Sequence, residues 1–476
     1  MMITIRRCSA LTRIVALGLA LPTISGCMVG PDYIKPQTVV PTQWAGAAKM
    51  PTVQSLVVTG GTPDLTRWWN QFNDSTMNKL VEEAVHANLD LKIAEARLRQ
   101  ARAARGVAIG GLWPTAGASG GYQRSHKAGA DDQDLFQAGL DAVWELDLFG
   151  GRRRNLEAAD AVIRAATEGI HDIQVSLVAE VALNYIQLRG YQQEIVIAQK
   201  NLVAQRRTAE ITRKRHLVGF ATALDVANAE STAATTEAQI PVFETAERQT
   251  IYMLSILLAQ QPVALVWQLS PLGSLPSMPT EIPAGLPSDL LRRRPDIRVC
   301  EAQLHTATAQ IGVATADFFP VFSLTGALSW NSNLLRSWWS DASRSFGVGP
   351  SVNWQIFQGG AITSNVRLQE ALRDQAFLTY QKTVLAAFQD VENALIAFSN
   401  EQHHRKALSD AVAANRKAVD LSLQLYTEGM TDFLNVVTAQ RSLYASEDAL
   451  IQSERTIATD LIALYKALGG GWEPLR

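Results

Sequence analysis

The sequence predicts a mostly α-helical chain with a transmembrane β part, made of one helix-strand-strand-long helix-helix unit written twice. Three observations predict it: an internal repeat, two very long stretches free of helix breakers, and four segments of about ten residues that alternate apolar with polar. The repeat is visible by eye. "AEARLRQARAARGVAIGGLWP" (Ala94–Pro114) lines up with "CEAQLHTATAQIGVATADFFP" (Cys300–Pro320) at an offset of 206. "VGFATALDV" (Val218–Val226) lines up with "EGMTDFLNV" (Glu428–Val436) at an offset of 210, an offset that Trp144 and Trp354 share. Chance matches would not keep this order, so the pattern reads as a duplication with a small insertion.

The first residues of the 476-residue sequence read as an export signal. Arg6, Arg7 and Arg13 form a basic region, and Ile14–Leu21 is an apolar run too short to span a bilayer. Ile24-Ser25-Gly26-Cys27 follows and resembles the bacterial lipobox. Residues 1–26 are therefore expected to leave as a lipoprotein signal peptide. Cys27 would then carry covalent S-diacylglycerol and N-acyl lipid, with no other cofactor or metal implied. Three arginines leave with the signal, so the formal charge moves from −2 to −5. No basic block of the kind a nucleic-acid binder needs is present. Cys8 leaves too, and with Cys27 modified only Cys300 remains, so no intramolecular disulfide is expected.

After an N-terminal extended segment (27–75), the first repeat covers 76–259 and the second 289–468. A proline-rich insert at 260–288 separates them and a short tail at 469–476 follows. In the first repeat a helical pattern runs to Gly110, strands are expected within 113–147, and a long helix is expected over 152–216. That helix contains no proline and little glycine, and alanine and long side chains dominate it. Val181, Leu188, Ile195, Leu202 and Ala209 recur every seven residues, the spacing of a coiled-coil seam. A helix of 65 residues reaches roughly 98 Å at 1.5 Å per residue, which suits a tube rather than a compact enzyme. The second repeat expects strands within 318–357 and a long helix over 361–425. Each long helix ends in a turn, about 217–224 and 426–432, and a returning helix follows.

The strands carry the membrane argument. Phe136, Ala138, Leu140, Ala142, Trp144 and Leu146 alternate with Gln137, Gly139, Asp141, Val143 and Glu145, and the other segments alternate in the same way. Such segments build outer-membrane barrels, although a half-buried soluble sheet gives the same alternation. Trp144 and Trp354, at matching ends of two strands, favour the bilayer interface. Four strands form an open sheet with two unpaired edges, and lipid offers those amides no partner. Copies must therefore close a barrel together. Two give eight strands, whose interior side chains fill it, and three give twelve with a lumen, so a homotrimer is expected.

These residues resemble the TolC/OprM-type outer-membrane factors of efflux systems, in their lipidated NodT-like branch. The resemblance rests on "CMVGPDYIKP" (Cys27–Pro36), "WWNQFNDSTMNKLVEEAVHANLDLKIAEARLRQAR" from Trp68, "AQIPVFE" from Ala238 and "LLRRRPDIRVCEAQL" from Leu290, and it covers nearly the whole mature chain. It implies a twelve-stranded barrel in the outer membrane, continued by a periplasmic α-helical barrel. It also implies partners: a periplasmic adaptor, an inner-membrane pump, usually of the resistance-nodulation-division (RND) type, and outer-membrane lipid. The two turns then become the periplasmic tip, with Gly219, Phe220, Gly429 and Met430 at the aperture and the adaptor-docking surface. Asp225 and Tyr426 match positions that latch the closed aperture in relatives. The arginine of that latch is Thr431 here, two aspartates of the aperture ring are Asn435 and Thr438, and Asp432 is a substitute acid. The latch is expected to be weaker than in those relatives.

Other readings have less support. Gly117–Gly121 fits the G-x-S-x-G pattern with Ser119 as nucleophile, but that motif needs a strand-to-helix elbow, and this one lies in an expected barrel strand. The seven histidines show no metal spacing, His403 and His404 being adjacent. The chain is expected not to be an enzyme. A lipid-tethered coiled-coil scaffold would leave the four alternating segments unused. A conduit for type I protein secretion would keep the fold and change the cargo.

Overall fold

The structure, a computed structural model, describes residues 28–45, 65–129, 131–279 and 287–472. The signal, Cys27 and the last four residues of the tail lie outside these. Helices α1 (Ser75–Ala87) and α2 (Leu89–Gly110) lead into strands β1 (Thr115–Ser125) and β2 (Gln133–Leu146). The long helix α3 (Gly151–Leu217) and the returning helix α4 (Ala223–Leu257) follow, and a four-residue helix, α5 (Val266–Leu269), lies in the insert. The second half repeats this with α6 (Pro287–Arg293), α7 (Pro295–Ala316), β3 (Val321–Ser332), β4 (Arg344–Asn353), α8 (Ala361–Glu428) and α9 (Phe433–Ala467). Among the described residues, no helix is long and apolar enough to cross a membrane.

The element bounds differ from the sequence reading in an ordered way. The helix expected to run unbroken to Gly110 is two helices parted at Asn88. This residue is extended, with φ −53° and ψ 136°. Its Oδ1 accepts the N–H groups of Asp90 (2.8 Å) and Leu91 (3.2 Å), so it ends one helix and caps the next. The break recurs 206 residues on, at Arg294, where Pro295 disfavours helical backbone in the residue before it. β3 starts later than expected because the N–H groups of Asp317, Phe318 and Phe319 turn back to the carbonyls of Ala314–Ala316. β4 stops at Asn353 because its last partner, Val321, begins β3.

The chain divides into two compact units, one from Met1–Gln37, Arg97–Thr167 and Val299–Gln381, the other from Thr38–Ala96, Glu168–Arg298 and Lys382–Arg476. The first holds the sheet, antiparallel in the order β1-β2-β3-β4. Its register puts one chemistry on each face. Ala118, Leu140, Leu328 and Phe346 are direct cross-strand neighbours, as are Ala116, Ala142, Gly326 and Val348. Between those rows lie Gly117, Asp141, Ala327 and Gly347 on the opposite face, then Ser119, Gly139, Ser329 and Ser345. The apolar face is well exposed: Phe346 and Val348 are 82% and 81% accessible. Among the described residues, β1 and β4 are the edges of the sheet. Ser119 lies mid-strand opposite Gly139, with no strand-to-helix elbow. The two expected interface tryptophans make duplicate bonds. Trp144 Nε1 donates to the Leu112 carbonyl (3.0 Å) and Trp354 Nε1 to the Phe318 carbonyl (3.1 Å).

In the second unit the heptad positions of α3 turn inward, with Val181, Leu188, Ile195 and Leu202 all buried. Between them runs a line of buried polar side chains, several of them paired across helices. Gln192 donates to Glu247 (3.0 Å) and the Leu269 carbonyl (2.8 Å). Asn201 donates to Glu447 (2.8 Å), and Gln440 donates to Thr208 (2.8 Å). Such pairs penalise any slip of one helix past another, because a slip leaves them buried and unpartnered. Glu194 is a buried acid on the same helix. Its carboxylate is 2% exposed and sits 3.2 Å from Arg455 of α9. Arg455 crosses α3 at Gly190, where a Cβ would stand 2.6 Å from its Cδ.

Burial raises Glu194 to about 7, against the pull of Arg455 and with a push from Asp448. An unfolded glutamate titrates at about 4.3. Between those values the folded protein holds a proton that the unfolded chain has released, so stability falls as pH rises through that window, by up to about 1.4 kcal/mol per pH unit. Thermal unfolding followed from pH 4 to pH 8 should show this decline, and Glu194→Gln should flatten it. An unchanged slope in the variant would contradict the assignment.

Candidate functional site

The two helix turns, near Gly219 and Gly429, are built by the same local rules. Helix α3 ends in a basic turn, Lys214-Arg215-His216, which suits the carbonyl end of a helix. Gly219 then takes φ +83° and Gly429 φ +78°, backbone that other residues rarely adopt. The N–H of Phe220 returns to the Arg215 carbonyl (2.8 Å) and that of Met430 to the Leu425 carbonyl (2.8 Å), closing matching C-terminal caps. Both expected turn glycines therefore have a backbone reason to be glycine.

Beyond them the two turns differ. Helix α4 opens with a full capping box. The Asp225 carboxylate accepts the N–H of Thr222 (2.8 Å) and the Thr222 hydroxyl accepts the N–H of Asp225 (3.1 Å). Asp225, expected in the latch, is thus committed to its own helix. Asp432 stands at the start of α9 without a side-chain cap bond and is exposed. Thr431 accepts from Asn435 (2.7 Å).

Tyr426 is buried in a cluster with Ala229, Phe433, Val436 and Val437, its ring 5.3 Å from that of Phe433. Its hydroxyl is buried with no hydrogen-bond partner, so within the protomer Tyr426 acts through its ring. The cation beside it comes from the other hairpin. Arg215 lies over the Tyr426 ring at 4.7 Å and over Phe220 at 6.0 Å, and its Nη1 donates to the Thr427 carbonyl (3.0 Å). Arg215 thereby ties α3 to the end of α8. Sequence reasoning missed it, since its counterpart 210 residues on is Leu425, although the basic last turn was visible.

Around the two turns the chain exposes Leu217, Val218, Phe220, Leu224, Met430 and Leu434, each more than 60% accessible. Six large apolar side chains at two adjoining turns are more than scattered surface residues and suit a protein-binding patch. Among the described residues, no group of three metal-ligating side chains converges.

The chain matches the family model described as outer membrane efflux protein over residues 80–259 and 286–470. It is 32% identical over 474 residues to outer membrane protein OprJ of Pseudomonas aeruginosa, covering 97% of this chain and 96% of that one. It is 31% identical over 455 residues to nodulation protein T of Rhizobium leguminosarum bv. viciae, covering 94% and 92%. Among solved structures it is similar to the outer-membrane channel OprN, with a TM-score of 0.86 and 36% identity, covering 94% of this chain and all of that one.

The geometry separates two substitutions. Arg215→Ala removes a cation–π contact and a charged hydrogen bond and should cost about 1–2 kcal/mol locally. Amide exchange at Gly429 and Met430 should then quicken about tenfold. Tyr426→Phe removes only an unpartnered hydroxyl and should leave those amides as they were. Protection lost in Tyr426→Phe and kept in Arg215→Ala would reverse the assignment.

Proposed function

This chain belongs to the outer membrane efflux protein family, and on that premise we propose that it is the outer-membrane conduit of a tripartite pump, closed by three copies around one lumen. It is an outer-membrane efflux channel of the NodT type. The observation that carries the closer reading is the sheet: four strands, one continuous apolar face, and two edges without partners. Lipid cannot satisfy those edges, so β1 of one copy pairs with β4 of the next. Twelve strands leave a passage that eight would fill.

Cargo reaches that passage from the periplasmic end. The exposed apolar side chains around Gly219 and Gly429 are the surface that receives a periplasmic adaptor, with Phe220 and Met430 at its centre. The adaptor in turn joins an inner-membrane pump, RND in type, which supplies the energy. Closure of the tip rests on Arg215, Tyr426 and Thr427, a contact made within one protomer. It takes the place of the arginine that relatives carry where this chain has Thr431. Cys27 carries the lipid that holds each protomer to the inner leaflet of the outer membrane. The chain acts as a conduit; Ser119, the serine of the G-x-S-x-G pattern, lies in a paired strand.

The test is cellular retention of a panel of dyes and antibiotics, comparing cells without this protein with complemented cells, each with and without an uncoupler. Retention of some compounds should rise on deletion, and the uncoupler should abolish the difference. Equal retention across the panel, in a strain with no second channel of this family, would overturn the efflux reading.

A further inference from the structure

Arg154 is among the largest side chains that the fold buries completely, with its side chain only 2% exposed, and neither the barrel nor the tip accounts for it. Its guanidinium faces the start of the mature chain. Nε donates to the Val29 carbonyl (3.1 Å), and Nη2 donates to the Gly30 carbonyl (3.3 Å) and the Asp32 carboxylate (2.7 Å). Nη1 donates to Glu157 (2.8 Å), which fixes the guanidinium from the α3 side.

The backbone around it is shaped to fit. Gly30 has φ +83°, and a Cβ there would lie 2.4 Å from the Gly312 Cα. A Cβ on Gly312 would lie 2.8 Å from Arg154 Cγ and Cδ. Gly150, at φ +80°, leaves room for Met28, whose Cα would stand 2.8 Å from a Cβ at that position. The Val29 N–H donates to the Phe149 carbonyl (3.1 Å). Further along, the Tyr33 ring stacks on His305 at 4.2 Å and Lys35 pairs with Glu301 at 2.8 Å.

The duplication supplies an internal control. The repeat counterpart of Gly312 is Gly106, where a Cβ would meet nothing within 4 Å. The counterpart of Arg154 is Ser364, which is exposed. A residue needed by the helix-strand unit itself would occur in both copies. The two glycines do recur, Gly312 as Gly106 and Gly150 as Gly360, so the arginine is what the duplication does not explain: it stands only where the N-terminal segment lies against α3.

We propose that Arg154, Gly150 and Gly312 form a dedicated seat for Met28–Lys35, which fixes the lipid on Cys27 to the base of the barrel with no free linker between them. This rests on the reading that Cys27 is acylated. Met28, the residue bonded to Cys27, is 39% exposed but lies against Gly150, so the seat reaches the residue next to the anchor. The anchor and the barrel are then mechanically coupled, and removing the lipid matters only while the seat is filled.

Purified, membrane-extracted protein tests this in two measurements. Chymotrypsin should leave the Tyr33–Ile34 bond of the wild type intact and cleave it about ten- to a hundredfold faster in Arg154→Gln, the effect of losing several hydrogen bonds to a charged group. Gly30→Ala, which changes the segment and leaves α3 and α7 untouched, should do the same, so a folding defect in Arg154→Gln does not decide the matter. Cleavage of the wild type as fast as of Gly30→Ala would overturn the seat. The second measurement is a cycle of assembly melting temperatures. Cys27→Ser, exported behind a signal that adds no lipid, should lower the melting temperature in the Arg154 protein and have little effect in Gly30→Ala. Equal shifts would overturn the coupling. The mass of the N-terminal peptide reports acylation separately. An unmodified wild-type Cys27 would remove the anchor from the proposal, and the cleavage result would still decide the seat.

Discussion

Backbone amides that face lipid must be paired within protein, and the rest of this structure depends on that requirement. Each chain brings four strands and leaves β1 and β4 open. In water such edges could be hydrated, and in a bilayer they cannot. The apolar face that runs through Leu140, Leu328 and Phe346 puts the sheet in the bilayer, and the open edges then call for further copies. In the proposed assembly, pairing between copies is thus part of the fold's own hydrogen bonding. The small residues of β1, Gly117, Ser119, Gly120 and Gly121 among them, carry little side chain to bury and are consistent with a strand whose partner lies on another copy.

Duplication explains how one chain supplies so regular a part, and the copies also depart from each other at particular side chains. Helix breaks at Asn88 and Arg294, tryptophan bonds at Trp144 and Trp354, and turn glycines at 219 and 429 are shared between the copies. Arg154 and Arg215 are not: their counterparts are Ser364 and Leu425. Both arginines belong to α3, and each ties that helix to a distant part of the chain. Arg154 holds the N-terminal segment and Arg215 holds the second turn. Guanidinium suits both tasks, since its fixed array of donors can bridge carbonyls, carboxylates and ring faces together.

Much of this was legible in the sequence because the signals were local. Period-two alternation gave the strands, the absence of proline gave the long helices, and glycine after a long helix gave the turns, since each depends on a few neighbouring residues. The helix breaks were less visible: an asparagine inside a helical pattern becomes a cap only when its side chain turns to the next amides, as Asn88 does. The contacts of Arg154 and Arg215 were not legible at all. Their partners lie 122 and 212 residues away, and no periodicity joins such positions. Resemblance singled out Tyr426, while its unpartnered hydroxyl was not visible. Asp225 was singled out for a latch by its position, and what its geometry adds is the capping box of α4.

The central claim, that β1 and β4 complete their hydrogen bonding on neighbouring copies, is tested most directly by amide hydrogen exchange of the protein in lipid bilayers. Paired edges predict that amides of Thr115–Ser125 and Arg344–Asn353 exchange as slowly as those of β2 and β3. Rapid exchange along β1 and β4, with β2 and β3 protected, would mean open edges and would contradict the account.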